Sequence, residues 1–365
     1  MTVNDIIQAM QRWAPEGLAY SWDKIGLATG SPDQPVTKIM TCLTITQDAV
    51  RAAKRAKAEM IVSHHPLIWE PITTLRSDNP LSKLFLDIHD AGIACYSAHT
   101  NLDVAEAGVN YILADRLGLK NKAPLFPTPQ AGLQKLVTFV PKTHAESVLH
   151  AVSEAGAGNM GDYTHASFTL EGVGTFRPNE HATPFSGIKG VVNHEPELRF
   201  ETIVPKIKSK QIIAALLTAH PYEEPAYDLY DLDITDHTYS LGLRGELSKA
   251  VTLDTFAKQV KKNLAIDYVR VSGKGTAKVK RIAVMGGAGG DQAGGVPSDV
   301  DVFVTGDVKY HNALDALDAG LNIIDAGHHG TEKWIVPAIQ VYLKSELDGV
   351  KVSAYMEPEP FRLVR

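Results

Sequence analysis

Met60-Ile61-Val62-Ser63-His64-His65-Pro66 is the stretch whose reading decides the fold. Met60 to Val62 reads as a buried strand, because β-branched residues follow a segment rich in Ala and Lys with helical character. Pro66 cannot continue a ladder, so the strand ends there and both imidazoles stand at its carboxyl end. In open α/β sheets that edge is where ligands bind. Two adjacent side chains where the chain turns enter one cleft at different angles, which suits two metal ions better than one. A pair of packing or capping histidines is the plainer alternative, and it would hold if the pair stood alone.

Outward from this strand the pattern alternates. Val3 to Trp13 has helical periodicity and ends at Ala14-Pro15, and Ser21 to Leu27 is irregular, rich in aromatic and turn residues. Lys38 to Ile45 reads as a strand, Gln47 to Ala58 as a helix, Pro80 to Ala91 as a helix with proline in its first turn, and Ile93 to Ala98 as a strand. The last runs into His99-Thr100-Asn101-Leu102-Asp103, and Gly108 to Leu117 is helical again. These are the marks of a parallel-sheet unit.

Pro124, Pro127 and Pro129 predict a boundary between 122 and 130. After it come a strand (133–140), a helix (143–155), strands at 163–170 and 198–204, a helix (206–219) and a strand (226–232). That order, β-α-β-β-α-β, is ferredoxin-like. After His237 the alternation resumes, with strands at 281–285, 301–305 and 321–325 and helices at 253–262, 309–319 and 334–344. The simplest architecture is one α/β domain made from residues 1–130 and 237–365, with a ferredoxin-like α+β domain inserted over 131–236.

Three of these strands end in metal-type residues: His64 and His65, then Asp103, then His328 and Glu332. A parallel sheet would bring all five to one edge. Imidazoles and carboxylates together suit Zn, Mn, Fe, Co or Ni. With Glu332 as a bridge, His64 and His328 can serve one ion, and His65 and Asp103 the other. Each ion then keeps open positions, which marks catalytic sites more often than structural ones. Gly286 to Gly290 lacks the endings of a phosphate loop or a dinucleotide fingerprint. It reads equally as a close backbone approach or as a substrate-phosphate contact. Thr305-Gly306-Asp307 and His311 follow another strand and read as partners that orient imidazoles, ahead of the alternative of a helix N-cap and an ordinary surface histidine. His220-Pro221-Tyr222-Glu223 reads as a rigid corner.

Composition narrows the function. A charged fraction of 21%, a hydrophobic fraction of 44% and a net charge of -6 describe a globular chain, and the acidic balance argues against a dedicated nucleic-acid binder. The two cysteines, Cys42 and Cys95, have no metal spacing and imply no disulfide framework. Polar residues from Asn4 onward break any signal-peptide apolar region, and no run reaches the length of a membrane span. A cytoplasmic protein is expected.

The Trp22-Asp23-x-x-Gly26-Leu27 loop, Ser63-His64-His65-Pro66-Leu67-Ile68, Ala98-His99-Thr100-Asn101-Leu102-Asp103 and Asp325-Ala326-Gly327-His328-x-x-x-Glu332 resemble the NIF-three-like family, also described as GTP cyclohydrolase I type 2 homologues. Gly161 to Thr164, Gly172 to Phe176 and His220 to Glu223 resemble the insert of its longer members, which is similar to PII and CutA proteins. The resemblance implies that His64, His65, Asp103, His328 and Glu332 are the ligands of two divalent ions. It also implies a toroidal homohexamer with the metal pairs facing a cavity. Thr44 departs from the acidic residue many relatives carry there.

The reading is a two-metal hydrolase acting on a nucleotide or other small molecule, with His99 or His329 shuttling the proton. GTP ring opening is the specific expectation, and phosphoester hydrolysis the next. A ring-shaped metal-binding scaffold, sensing a small molecule through the insert without turnover, is the reading from another class.

Overall fold

The computed structural model describes residues 1–128, 132–235, 239–362 and 364. The boundaries expected at 130/131 and 236/237 lie outside the described residues. The chain divides into two compact units, Met1–Thr128 with Thr238–Arg365, and Pro129–His237.

In chain order the first unit begins with α1 (Val3–Trp13), β1 (Gly26–Thr29), β2 (Lys38–Cys42), α2 (Gln47–Ala56) and β3 (Met60–Ser63). It continues through α3 (Pro80–Asp90), β4 (Ala94–Ser97), α4 (Thr100–Val104), α5 (Val109–Arg116) and β5 (Lys120–Pro127). The second unit holds β6 (Gly132–Pro141), α6 (Ala145–Glu154), β7 (Ser167–Phe176), β8 (Asn193–Pro205), α7 (Ser209–Ala219) and β9 (Tyr227–Thr235). Back in the first unit come β10 (Ser240–Thr252), α8 (Leu253–Leu264), β11 (Arg270–Ser272), β12 (Lys278–Val284), β13 (Val302–Thr305) and α9 (Tyr310–Asp318). It closes with β14 (Asn322–Asp325), α10 (His328–Glu332), α11 (Ile335–Glu346) and β15 (Lys351–Ala354).

The histidine strand is where it was expected. All four residues of β3 are buried, and β3 lies parallel to β2 on one side and to β4 on the other. The ladder runs one step into the histidines, since the amides of His64 and His65 donate to the carbonyls of Cys42 and Leu43. Both imidazoles therefore start from a fixed backbone. Helix α2 begins on a Thr46 cap and α3 on an Asn79 cap with Pro80 at its first turn. Both are start signals legible in sequence.

One expectation needs correction. The first unit has two sheets, β1-β4-β3-β2-β15 and β11-β14-β13-β12-β10-β5, so the ligand strands do not share one parallel edge. β3 and β4 belong to the first sheet and β14 to the second. Both sheets are mixed: β1 runs antiparallel to β4, and β10 antiparallel to both β12 and β5. The division between the units, after Thr128, falls within the proline-rich segment read as a boundary, and most of that segment is strand β5. It is tolerated because β5 is an edge strand, where a missing N–H breaks no inner ladder. Along β13 the core alternates, with Val302 and Val304 packing on one face of the sheet and Phe303 on the other. Truncating such a buried aromatic costs about 3–5 kcal/mol.

In the second unit four antiparallel strands run in the order β7-β8-β6-β9. Helices α6 and α7 bury Val148, Val152, Ile212 and Leu216 against Leu136, Val140, Phe200 and Val204. The strand expected at 163–170 begins later, at Ser167, and extends to Phe176. Among the described residues no helix is long and apolar enough to cross a membrane, and both cysteines are free and buried.

Candidate metal centre

Each short helix at the site follows a strand and spans a single turn. α10 presents His328 and Glu332, and α4 with its N-cap presents His99 and Asp103. In both cases a spacing of four residues stacks the two side chains on one helix face. The turn before α10 is held by buried Asp325, which accepts from the amides of Gly327 and Val308 and pairs with Arg270.

The three imidazoles are held through their Nδ1 atoms. His64 Nδ1 is 2.9 Å from the Ala98 carbonyl, His65 Nδ1 is 2.7 Å from Thr44 Oγ1, and His328 Nδ1 is 2.7 Å from Asp307 Oδ2. A carbonyl and a carboxylate only accept, so His64 and His328 donate from Nδ1 and offer the Nε2 lone pair to the centre. Such partners fix tautomer and ring orientation in metal sites. Thr44, at the position where acidic residues were expected in relatives, supplies a hydroxyl to His65 instead.

Glu332 is buried between the rings. Its Oε2 lies 3.0 Å from both His65 Nε2 and His328 Nε2, and its Oε1 lies 3.8 Å from His64 Nε2. Asp103 Oδ1 is 3.6 Å from His64 Nε2. Among the described residues three groups of potential ligand atoms each lie within 4.8 Å of one another: His64–His65–His99, and two that include carboxylates, His65–His328–Glu332 and His64–Asp103–Glu332. Glu332 is common to both. The grouping differs from expectation: His64 goes with Asp103 and His65 with His328.

A bound cation fits this arrangement. His64 Nε2 and Asp103 Oδ1 are buried without a hydrogen-bond partner, a costly state for polar atoms unless something else engages them. A Cβ at Gly287 would stand 2.1 Å from Glu332 Oε1, so the glycine loop clears space for the carboxylate. This is the close-approach reading of Gly286 to Gly290. The Gly286 amide also donates to Asn110.

Electrostatics point the same way. Burial opposes charge on His64, but Asp103 and Glu332 outweigh it and raise its pKa to about 9. For His328 burial is likewise outweighed, by Glu332 and Asp307, and its pKa rises to about 10. Burial raises the pKa of Asp103, whereas the imidazole hydrogen bonds to Glu332 overcome burial and hold it well below the usual range. Without metal, the centre draws protons to His64 and His328, whereas burial lowers the pKa of His65. A metal ion must displace them, so apparent affinity should fall as pH drops below about 10, where His328 takes up a proton, and more steeply below about 9, where His64 does. The fall should approach tenfold per pH unit for each proton displaced. Metal titrations in weak buffer at pH 7.5 should show proton release. Loading without release, or affinity independent of pH, would contradict this charge arrangement.

His99 borders the centre. One of its ring nitrogens lies within 4.8 Å of those of His64 and His65, and its Nδ1 is 2.9 Å from Asp23 Oδ1. Asp23 also accepts from the amide and hydroxyl of Thr100. Burial would raise its pKa, but these bonds prevail and lower it to about 2. Rings crowd this side: Trp69 lies 5.3 Å and Trp22 6.3 Å from His99, with Trp22 stacked on Trp69 at 6.5 Å. The irregular sequence around Trp22 gave no sign of Asp23's role. A clue was the His99-x-x-x-Asp103 spacing, which repeats that of His328 and Glu332.

His329 and His311 are not gathered with these groups. His329 Nε2 is 2.9 Å from the Glu357 carbonyl, and its Nδ1 is 3.3 Å from Glu359 Oε2, so the C-terminal segment holds it. His311 packs edge-on against Tyr310. His328→Ala should therefore lower metal content, whereas His329→Ala should keep it, as read by elemental analysis of purified protein. Equal losses would show the motif's register to be wrong.

The fold and site define a mixed α/β protein of several sheets, with a histidine–carboxylate cluster that could hold metal. A family model described as DUF34/NIF3 (NGG1p interacting factor 3) matches residues 1–360. The chain is 39% identical over 365 residues to the GTP cyclohydrolase 1 type 2 homolog of Halalkalibacterium halodurans, covering 98% of each chain. It is 39% identical over 325 residues to that of Bacillus subtilis, covering 89% of this chain and 87% of the other. The crystal structure of a Bacillus cereus protein related to NIF3 superposes with a TM-score of 0.84 at 39% identity, over 100% of this chain and 99% of that one. The chain belongs to the DUF34/NIF3 family.

Proposed function

We propose that the first unit is a dinuclear metal-dependent hydrolase acting on a nucleotide-like substrate. The observation that carries the proposal is the sharing of Glu332 by two groups of candidate ligands, one of which buries His64 Nε2 and Asp103 Oδ1 without a hydrogen-bond partner. Two divalent ions, when bound, supply Lewis acidity and a water acidified toward neutral pH. The chain's own residues do the rest. His64, His65, Asp103, His328 and Glu332 hold the pair. Asp23 fixes the His99 ring through Nδ1, which leaves Nε2 to take or give a proton beside the centre. Trp22 and Trp69, 56% and 46% exposed, offer flat faces on which a nucleobase stacks. The relatives' name, GTP cyclohydrolase 1 type 2 homolog, makes GTP the first substrate to try.

The test is a turnover screen of protein loaded with Zn, Mn, Fe, Co or Ni against GTP, other nucleotides and simple phosphoesters. Metal-dependent turnover that chelator abolishes is the expected result. Full metal loading with no turnover across the panel would favour a metal-bearing scaffold instead. The β-α-β-β-α-β order of the second unit supports reading it as a PII/CutA-like sensing module in either case. A homohexamer is part of the proposal, and its check is a solution mass of about six times 39.6 kDa.

A further inference from the structure

The second unit contains a cavity of about 820 Å³, within the range of small-molecule sites. Its walls come from β7, the loop after it, the facing part of β8 and the corner before β9. One of its lining residues is Glu197, only 6% exposed. Oε1 of this carboxylate accepts from the Tyr222 hydroxyl at 2.6 Å. Oε2 lies across Gly174, where a Cβ would stand 2.1 Å from it. Glycine there gives the carboxylate its room.

No cation among the described residues pairs with Glu197. Arg199 shares the wall but donates from Nε to Glu201 at 2.7 Å. Lys142 pairs with Glu171 at 2.7 Å. A buried carboxylate without a cation is unfavourable, and a ligand that brings one relieves it. With Glu171 paired to Lys142, the lining still sets Glu197, Glu223 and Glu224 against Arg177 and Arg199, with His181 beside them, a balance that disfavours anions. Phe139, Phe185 and Tyr222 supply aromatic surface, with Phe185 6.0 Å from Tyr222. The Arg199 guanidinium already lies 5.7 Å from the Phe139 ring, so Phe185 and Tyr222 are the rings that attract a desolvated cation, and Phe139 offers apolar surface.

We propose that this cavity binds an organic cation, its ammonium or amidinium head on Glu197 and its apolar body against Phe139, Phe185 and Tyr222. The site shares no residue with the metal centre and does not rest on what that centre does. The sequence motifs around Gly174 and Tyr222, which the metal centre leaves unused, meet here.

The test is calorimetric titration of the full chain with benzamidine and phenethylamine, and with benzoate as an anion of similar shape. At least one of the cations should bind and benzoate should not. Glu197→Gln should weaken the bound cation at least tenfold. Should Glu197→Gln fail to fold by circular dichroism, Phe185→Ala decides instead, because its side chain is half exposed and its loss is tolerable. It too should weaken binding several-fold. No binding of either cation, equal binding of benzoate, or unchanged affinity in the folded variant would overturn the proposal.

Discussion

Glu332→Gln should fold and yet hold less than one metal ion per chain, while Asp103→Asn keeps close to one. Two cations about 3.5–4 Å apart repel each other, and a shared carboxylate offsets that repulsion at both. Glu332 faces His64 with Oε1 and both His65 and His328 with Oε2. Glutamine keeps the size and one carbonyl oxygen but loses the charge. The loss should exceed the roughly 10–100-fold that removal of an outer partner costs, and it should fall on both ions. Asp103 belongs to one group only, so its removal leaves His65, His328 and Glu332 intact. Elemental analysis after dialysis, with circular dichroism as the control for folding, reads both. If Glu332→Gln retains two ions while Asp103→Asn loses both, Asp103 is the bridge.

The second large effect is expected at His99. His99→Ala should keep both metals and lower kcat by about 10²–10⁴, the usual contribution of a positioned acid or base. Asp23→Asn should lower it less and also shift the pH profile. Its amide can donate toward Nδ1 and so favour the wrong tautomer of His99. The Thr100 contacts give Asp23 a structural role too, and the change in pH profile separates positioning from simple loss of stability. If His99→Ala instead loses a metal ion, His99 is itself a ligand. Its nearness to His64 and His65 makes that outcome readable.

Much of this was legible because metal chemistry is local in sequence. His64 and His65 follow a buried strand and precede a proline, and a one-turn helix needs its two side chains four residues apart, as His328 and Glu332 are. The pairing of ligands was not legible. Which histidine meets which carboxylate depends on two sheets converging, and periodicity cannot tell one parallel sheet from two mixed ones. β5 was hidden by its prolines, which are tolerated only because it is an edge strand. Asp23 was hidden for a related reason. It lies 76 residues from His99 in sequence, in a segment with no regular pattern. The second unit's element order was readable from short alternating runs, but the pocket at Glu197 was not, since it depends on a loop folding back over a strand.

The most direct test of the proposed dinuclear centre is anomalous X-ray diffraction from crystals of the metal-loaded protein, recorded on both sides of the metal's absorption edge. The account predicts two peaks per chain about 3.5–4 Å apart. One should be bound by His65 and His328, the other by His64 and Asp103, with Glu332 touching both. A single peak, or two peaks that do not share Glu332, would contradict it.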